Sequence, residues 1–137
     1  MDHKDSLSHL RHWAMTKGYH VEFSRDGDDS VDRIGKIISI NTTRSLETQV
    51  YVMLHECGHI LVYENDKVMN FRKIASKYNE KSKIHKVFTV IEEIEAWKRG
   101  RMLANRCCIE IDDEKWNRDI ARAIRKYMKW ALDIGQD

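Results

Sequence analysis

The segment "VMLHECGHIL" (residues 52–61) constrains what this chain can fold into more than any other. Wound as a helix, residues 46–61 bring Leu46, Val50, Met53, Leu54, Cys57, Ile60 and Leu61 onto one continuous apolar stripe, because side chains three and four apart share a face. At roughly 100° per residue, His55 and His59 project to the opposite side. The helix already has a complete core face, so its histidines serve something else. Tyr51, Val52 and Val62 share their side, which is therefore expected to pack rather than face open solvent. Thr43 or Ser45 is placed to cap the start, and the helix is expected to run to about Tyr63.

Two imidazoles one turn apart can converge on a single tetrahedral ion. Glu56 follows the first histidine, and its carboxylate leans toward the same ion from the side. There it is better placed to take a proton from a metal-activated water than to join the ligands. Gly58 costs about 1 kcal/mol of helix propensity, so another segment is expected to approach closely at that point. Cys57 lies on the core stripe and reads as a buried, inert thiol. The plain alternative is a pair of ordinary histidines that happen to fall four apart. A capped helix, an intervening glutamate and a position off the apolar stripe all weigh against it.

Around this helix the chain reads as α+β. "SLSHLRHWAMTK" (6–17) has Leu7, Leu10, Trp13 and Ala14 at helical spacing, and Gly18 ends it. "YHVEFS" (19–24) alternates as a strand, and "RDGDDS" (25–30) is a turn by composition. "RIGKIISINTT" (33–43) is a β-branched second strand, with Ile38 and Ile40 on one face and Ile37 on the other. Residues 64–83 are polar and basic, with a weak stripe of Val68, Phe71, Ile74, Ala75 and Tyr78; they predict a helix or a flap over whatever the protein binds. From Ser82 to Asn105 a long helix is expected, with Ile84, Val87, Phe88, Ile91, Ile94, Trp97 and Lys98 on its period. Asp113 then caps a last helix over 113–135, with Trp116, Ile120, Ile124, Tyr127, Ala131 and Ile134 on one side. Arg118, Arg122, Arg125 and Lys129 occupy the other.

A chain of 137 residues is enough for one domain, 1–137, with a core that needs no staples. Three cysteines, two of them adjacent (Cys107 and Cys108), do not make a disulfide framework and read as small apolar residues. No apolar run approaches membrane-spanning length, and "MDHKDSLSHL" lacks the apolar core of a signal peptide. A cytoplasmic protein with no membrane partner is expected. Residues 1–66 carry 7 Lys/Arg against 11 Asp/Glu, and residues 67–137 carry 17 against 11. A basic second half can face nucleic acid, but such charges are more often the solvated faces of helices.

A catalytic metal site needs a third protein ligand. A third histidine six residues past the motif is absent, since Asn65 stands there. The long helix offers "VIEEIEAWKRG", with Glu92, Glu93 and Glu95, and His85 is a further candidate. Periodicity does not choose among them: Glu95 falls within the apolar stripe, Glu92 borders it and Glu93 points away.

HECGH after a β-branched strand, with Glu-x-x-Ala on a later helix, resembles the gluzincin metallopeptidases, and most closely the minimal, ImmA/IrrE-like group. The resemblance implies a zincin-like α+β fold and one Zn2+ held by His55, His59 and Glu93, the last because Glu93-Ile94-Glu95-Ala96 matches the second motif. It implies peptide-bond hydrolysis with Glu56 as general base, and a small Ala96 that lets two helices pack closely. Trp97 stands where that group usually has an Asn that orients a zinc histidine.

The resemblance further implies a protein or peptide substrate, added as an extra strand to an open edge at "KIISIN" (36–41). Tyr63, Tyr78 and His85 are candidates to stabilise the oxyanion. Two other readings remain open at this level: a zinc-containing regulator without proteolytic activity, and a protease that also sits on nucleic acid.

Overall fold

A computed structural model describes residues 1–79 and 82–132. In chain order these form α1 (His3–Thr16), β1 (His20–Ser24), β2 (Ser30–Asp32), β3 (Ile37–Asn41), α2 (Leu46–Tyr63), α3 (Asp66–Ala75), α4 (Lys83–Arg106) and α5 (Asp113–Ala131). Five helices and a small mixed sheet, closed by a C-terminal helix, make an α+β protein. No helix among the described residues is long and apolar enough to cross a membrane.

Local chemistry sets the boundaries. The side chains of Asp2, Ser45, Asn65, Ser82 and Asp112 each accept a backbone N–H of the first turn of α1 to α5 respectively. Each such cap is worth on the order of 1 kcal/mol. Of the two caps expected for α2, Ser45 is the one used. For α5 the cap is Asp112, one residue earlier than expected. Within the stretch 64–83 the helix of the two alternatives is present, as α3 over Asp66–Ala75; residues 80 and 81 lie outside the described set, as do 133–135 of the expected last helix, Ile134 included.

The sheet corrects one expectation. Its order is β1-β3-β2, with β3 parallel to β1 and antiparallel to β2, so that Val21 and Val31 both lie opposite Ile38. Residues 37–41 therefore occupy the centre of the sheet and have no open edge to offer a substrate. The expected faces hold, with Ile38 and Ile40 buried and Ile37 turned the other way. Strand β2 escaped the sequence because three residues with a single apolar one, Val31, are too short to show alternation. It exists because it completes the ladder of β3, and Asp32 closes the hairpin by accepting the N–H groups of Ile34 and Gly35.

Helix α2 runs through the middle of the protein. Its stripe residues Val50, Met53, Leu54, Cys57 and Ile60 share one core with Leu10 and Ala14 of α1, Ile38 and Ile40 of β3, and Leu103 and Ala104 of α4. Each large side chain fully buried there contributes about 1.5–3 kcal/mol. The other side is closed as well, since Tyr51 and Val62 are buried. The Tyr51 hydroxyl accepts the Asp112 N–H at 2.8 Å, which fixes the start of α5.

The cost of a glycine inside α2 is explained by α4. A Cβ built on Gly58 would lie 1.9 Å from the Ala96 carbonyl oxygen, and one on Gly100 would lie 2.5 Å from the Leu54 carbonyl oxygen. Only hydrogen at both positions lets the two backbones touch.

Helix α4 overturns a second expectation. Ile84, Val87 and Ile94 of its apolar stripe are 47%, 49% and 45% exposed, whereas its buried residues are Lys86, Glu93, Ala96, Trp97, Gly100, Leu103 and Ala104. Close backbone packing on α2 puts Ala96 and Gly100 inside. Ile84, Val87 and Ile94 are turned away from the core, while Trp97 of the same stripe is buried in it and Phe88 and Ile91 are half-buried. At its C-terminus Cys108 adopts a left-handed φ of 57° and is exposed, so it ends the helix instead of packing as a small apolar residue. All three cysteines are free thiols, and burial pushes that of Cys57 far up, in keeping with an inert side chain.

Candidate metal centre

His55 and His59 stand on adjacent turns of α2, their ring centroids 4.7 Å apart. The Gly58–Gly100 contact brings α4 close enough for one side chain to reach both. Glu93 does so: its Oε2 lies 2.8 Å from His55 Nε2 and its Oε1 lies 3.2 Å from His59 Nε2. One ligand atom from each of the three residues falls within 4.8 Å of the others.

Ligand atoms about 2.0–2.2 Å from a tetrahedral ion are separated by roughly 3.3–3.6 Å. The two Glu93 contacts, 2.8 and 3.2 Å, are shorter than that by about 0.1–0.8 Å, so an ion seated there would push the carboxylate back from both rings. Two imidazole nitrogens and a carboxylate oxygen are also the donor types that suit zinc.

The other candidates are engaged elsewhere. The Glu92 carboxylate lies 3.7 Å from Arg72 Nε, and burial raises its pKa against that guanidinium. Glu95 pairs with Arg99 at 3.2 Å, one turn along α4. The Nδ1 atom of His85 sits 3.3 Å from the Ala75 carbonyl oxygen.

Charge is concentrated in this small volume. Burial works against a proton on His55, but hydrogen bonds to Glu56 and Glu93 outweigh it and hold the pKa up to about 9. Burial likewise works against the Glu93 anion, and its hydrogen bonds to the two histidines prevail, leaving it well below the usual carboxylate range. Glu56 is buried, with Oε1 3.4 Å from His55 Nδ1. Two buried carboxylates around two imidazoles make a centre that attracts positive charge.

Trp97 stacks on the His55 ring, with centroids 4.2 Å apart and planes 10° apart, and meets Trp116 edge-on at 5.2 Å. It thus holds the imidazole by its face, where an Asn would hold it by a hydrogen bond. Its indole Nε1 is buried with no hydrogen-bond partner among the described residues, so its role there is one of packing.

Sequence reasoning missed Tyr127. It lines a cleft of about 400 Å³ together with His55, Glu56 and Trp97. Burial raises the Tyr127 phenol pKa first, and the charge of Glu93, a hydrogen bond to Glu93 and the charge of Glu56 push it further the same way. Its hydroxyl is therefore a firmly protonated donor at the centre. The three expected donors are placed less well. Tyr78 is exposed, and His85 faces the Ala75 carbonyl. Tyr63 lies with its ring 6.2 Å from that of His59, beneath the guanidinium of Arg33, and burial pushes its phenol up to about 12. The available signal was a polar-tipped aromatic on the apolar stripe of α5. Only the placement of α5 turns it toward the histidines.

A larger hollow of about 520 Å³ lies near Leu61, Asn65, Arg99 and Met102, and none of the side chains of the centre line it.

No family model, curated protein or solved structure matches this chain.

Proposed function

We propose that the chain is a zinc-dependent metallopeptidase of the gluzincin type, zincin-like in fold and similar to the ImmA/IrrE group, acting on a protein or peptide in the cytoplasm. The observation that carries this reading is the convergence of His55, His59 and Glu93 within 4.8 Å, beside a buried Glu56 at the floor of a cleft. His55, His59 and Glu93 would hold the ion, one per chain. Bound there, zinc supplies a Lewis acid that polarises the scissile carbonyl and makes a water acidic near neutral pH.

The rest is done by the chain's own groups. Glu56 takes the proton of the attacking water on its carboxylate and delivers it to the leaving amine. Tyr127 donates its hydroxyl proton in a hydrogen bond toward the carbonyl oxygen as negative charge develops there. Trp97 keeps the His55 ring in one plane. Since β3 is central, an extended substrate is proposed to lie along β2, whose neighbour Asp29 lines the cleft.

A second reading, a zincin-fold regulator that binds a partner without cutting it, draws support from the exposed Ile84, Val87 and Ile94 of α4. Glu56 separates the two, because pure binding has no chemical use for a buried base. Protein reconstituted with zinc should cleave members of a random peptide library, and Glu56→Gln should keep one zinc per chain while its rate falls by about 10²–10⁴. Equal cleavage by wild type and Glu56→Gln, or no zinc retained by either, would overturn the peptidase reading.

A further inference from the structure

Building on the peptidase reading, we propose that the cleft selects an extended acidic peptide, whose carboxylates are read by a row of cations on α5: Arg118, Arg122 and Lys126. These residues are four apart, so they stand on one side of the helix and rise about 6 Å per step. Arg122 and Lys126 line the same cleft as His55 and Glu56. Arg118 and Arg122 line its continuation, a further hollow of about 250 Å³ that shares Thr48, Asp119 and Arg122 with the first. The row therefore runs along the cleft from the metal centre toward the start of α2.

What distinguishes this row from an ordinary solvated face is how the other charges of the cleft are spent. Asp29 is paired with Arg44, and Glu47 with Lys115. Among the described residues Arg122 pairs only with Asp119, at 3.8 Å, with its own side chain largely exposed. Arg118 and Lys126 make no ion pair among the described residues. Asp29 and Glu47 on the facing wall are neutralised in place, so away from the metal centre the cations without such a partner lie on α5.

The spacing suits one shape of ligand. Alternate residues of an extended chain are about 6.6–6.8 Å apart and point the same way, close to the step of the α5 row. A peptide laid along β2 can thus present acidic side chains at alternate positions to successive cations. A nucleic acid is also a polyanion, but it would need free aromatic faces for its bases. Trp97 is already stacked on His55 with Trp116 edge-on to it, and Tyr127 meets Trp130 edge-on.

The test uses the full chain loaded with zinc and two sets of fluorogenic peptides, with Asp or Asn at alternate positions on one side or the other of a common cleavable core. On one side, kcat/KM for Asp over Asn should be about tenfold, the scale that two or three exposed ion pairs reach, and should fall toward one as salt is raised. In Arg122→Glu/Lys126→Glu the same ratio should drop below one, with zinc content and circular dichroism unchanged.

Binding of the labelled Asp peptide to Glu56→Gln keeps the result separate from catalysis. Binding lost in Glu56→Gln/Arg122→Glu/Lys126→Glu, in a protein that cuts nothing, would sink the peptidase reading and leave the acidic-peptide surface standing. Cleavage with an Asp-to-Asn ratio near one on both sides would overturn the surface and leave the peptidase. Tighter binding of a single-stranded oligonucleotide of equal charge would overturn it in favour of nucleic acid.

Discussion

Helices α2 and α4 meet along the Gly58–Gly100 contact and both supply the candidate metal centre, yet they are built on opposite plans. On α2 the apolar stripe faces the core, and the histidines emerge from the remaining surface. On α4 the stripe of Ile84, Val87 and Ile94 lies outside, while the buried face carries Lys86, Glu93, Ala96 and Gly100. One helix is placed by hydrophobic burial and the other by backbone contact. A glutamate held on an element of the second kind is hard to find by looking for an amphipathic pattern.

The sharpest way to break this contrast is to remove the α4 ligand. Glu93→Ala should lose its zinc and with it all hydrolysis, whereas Glu92→Ala and Glu95→Ala should retain about one zinc each. Elemental analysis after gel filtration decides it, and normal zinc in Glu93→Ala alongside loss in either neighbour would move the ligand along the helix.

Next in size are changes to what holds each helix. Leu54→Ala on the buried stripe of α2 should cost about 2–5 kcal/mol in denaturant unfolding. Gly58→Ala adds a methyl where a carbonyl oxygen already sits, and should cost about 1–3 kcal/mol or more by forcing the helices apart. Because that displacement carries Glu93 away from the histidines, zinc affinity should fall as well. A Gly58→Ala protein with wild-type stability would mean that the backbones do not touch.

A smaller effect is expected at Trp97. Trp97→Ala should weaken zinc binding by about 10–100-fold, the range found when groups that orient a ligand are lost, and Trp97→Phe should restore much of it because a stacked ring remains. Competition with a chromophoric chelator measures both. The smallest effect belongs to the outer stripe of α4, where Ile94→Ala should shift stability by no more than about 0.5 kcal/mol. A core-sized loss there would show that the stripe is covered in solution.

The same contrast explains what could be read in advance. His55, Glu56 and His59 were legible because one helical turn brings them together and the apolar stripe beside them fixes which way they face. Glu93 could be named only by its place in a motif, since three neighbouring carboxylates differ in direction and not in chemistry. The open edge was assigned to 36–41 because a three-residue β2 leaves no periodic trace. Tyr127 stayed hidden among the apolar residues of α5, as its partners lie on two other helices.

Local rules acting within a turn or two, such as side-chain period, caps and a misplaced glycine, were enough for the sequence alone to determine the helix that carries the histidines, its start to within two residues, and that something must press against Gly58. The tertiary structure decided which carboxylate meets those histidines, which strand is closed on both edges, and which tyrosine and cations border the cleft. These depend on the rotation and approach of whole helices, set by backbone contact between segments distant in the chain, and no single segment encodes them.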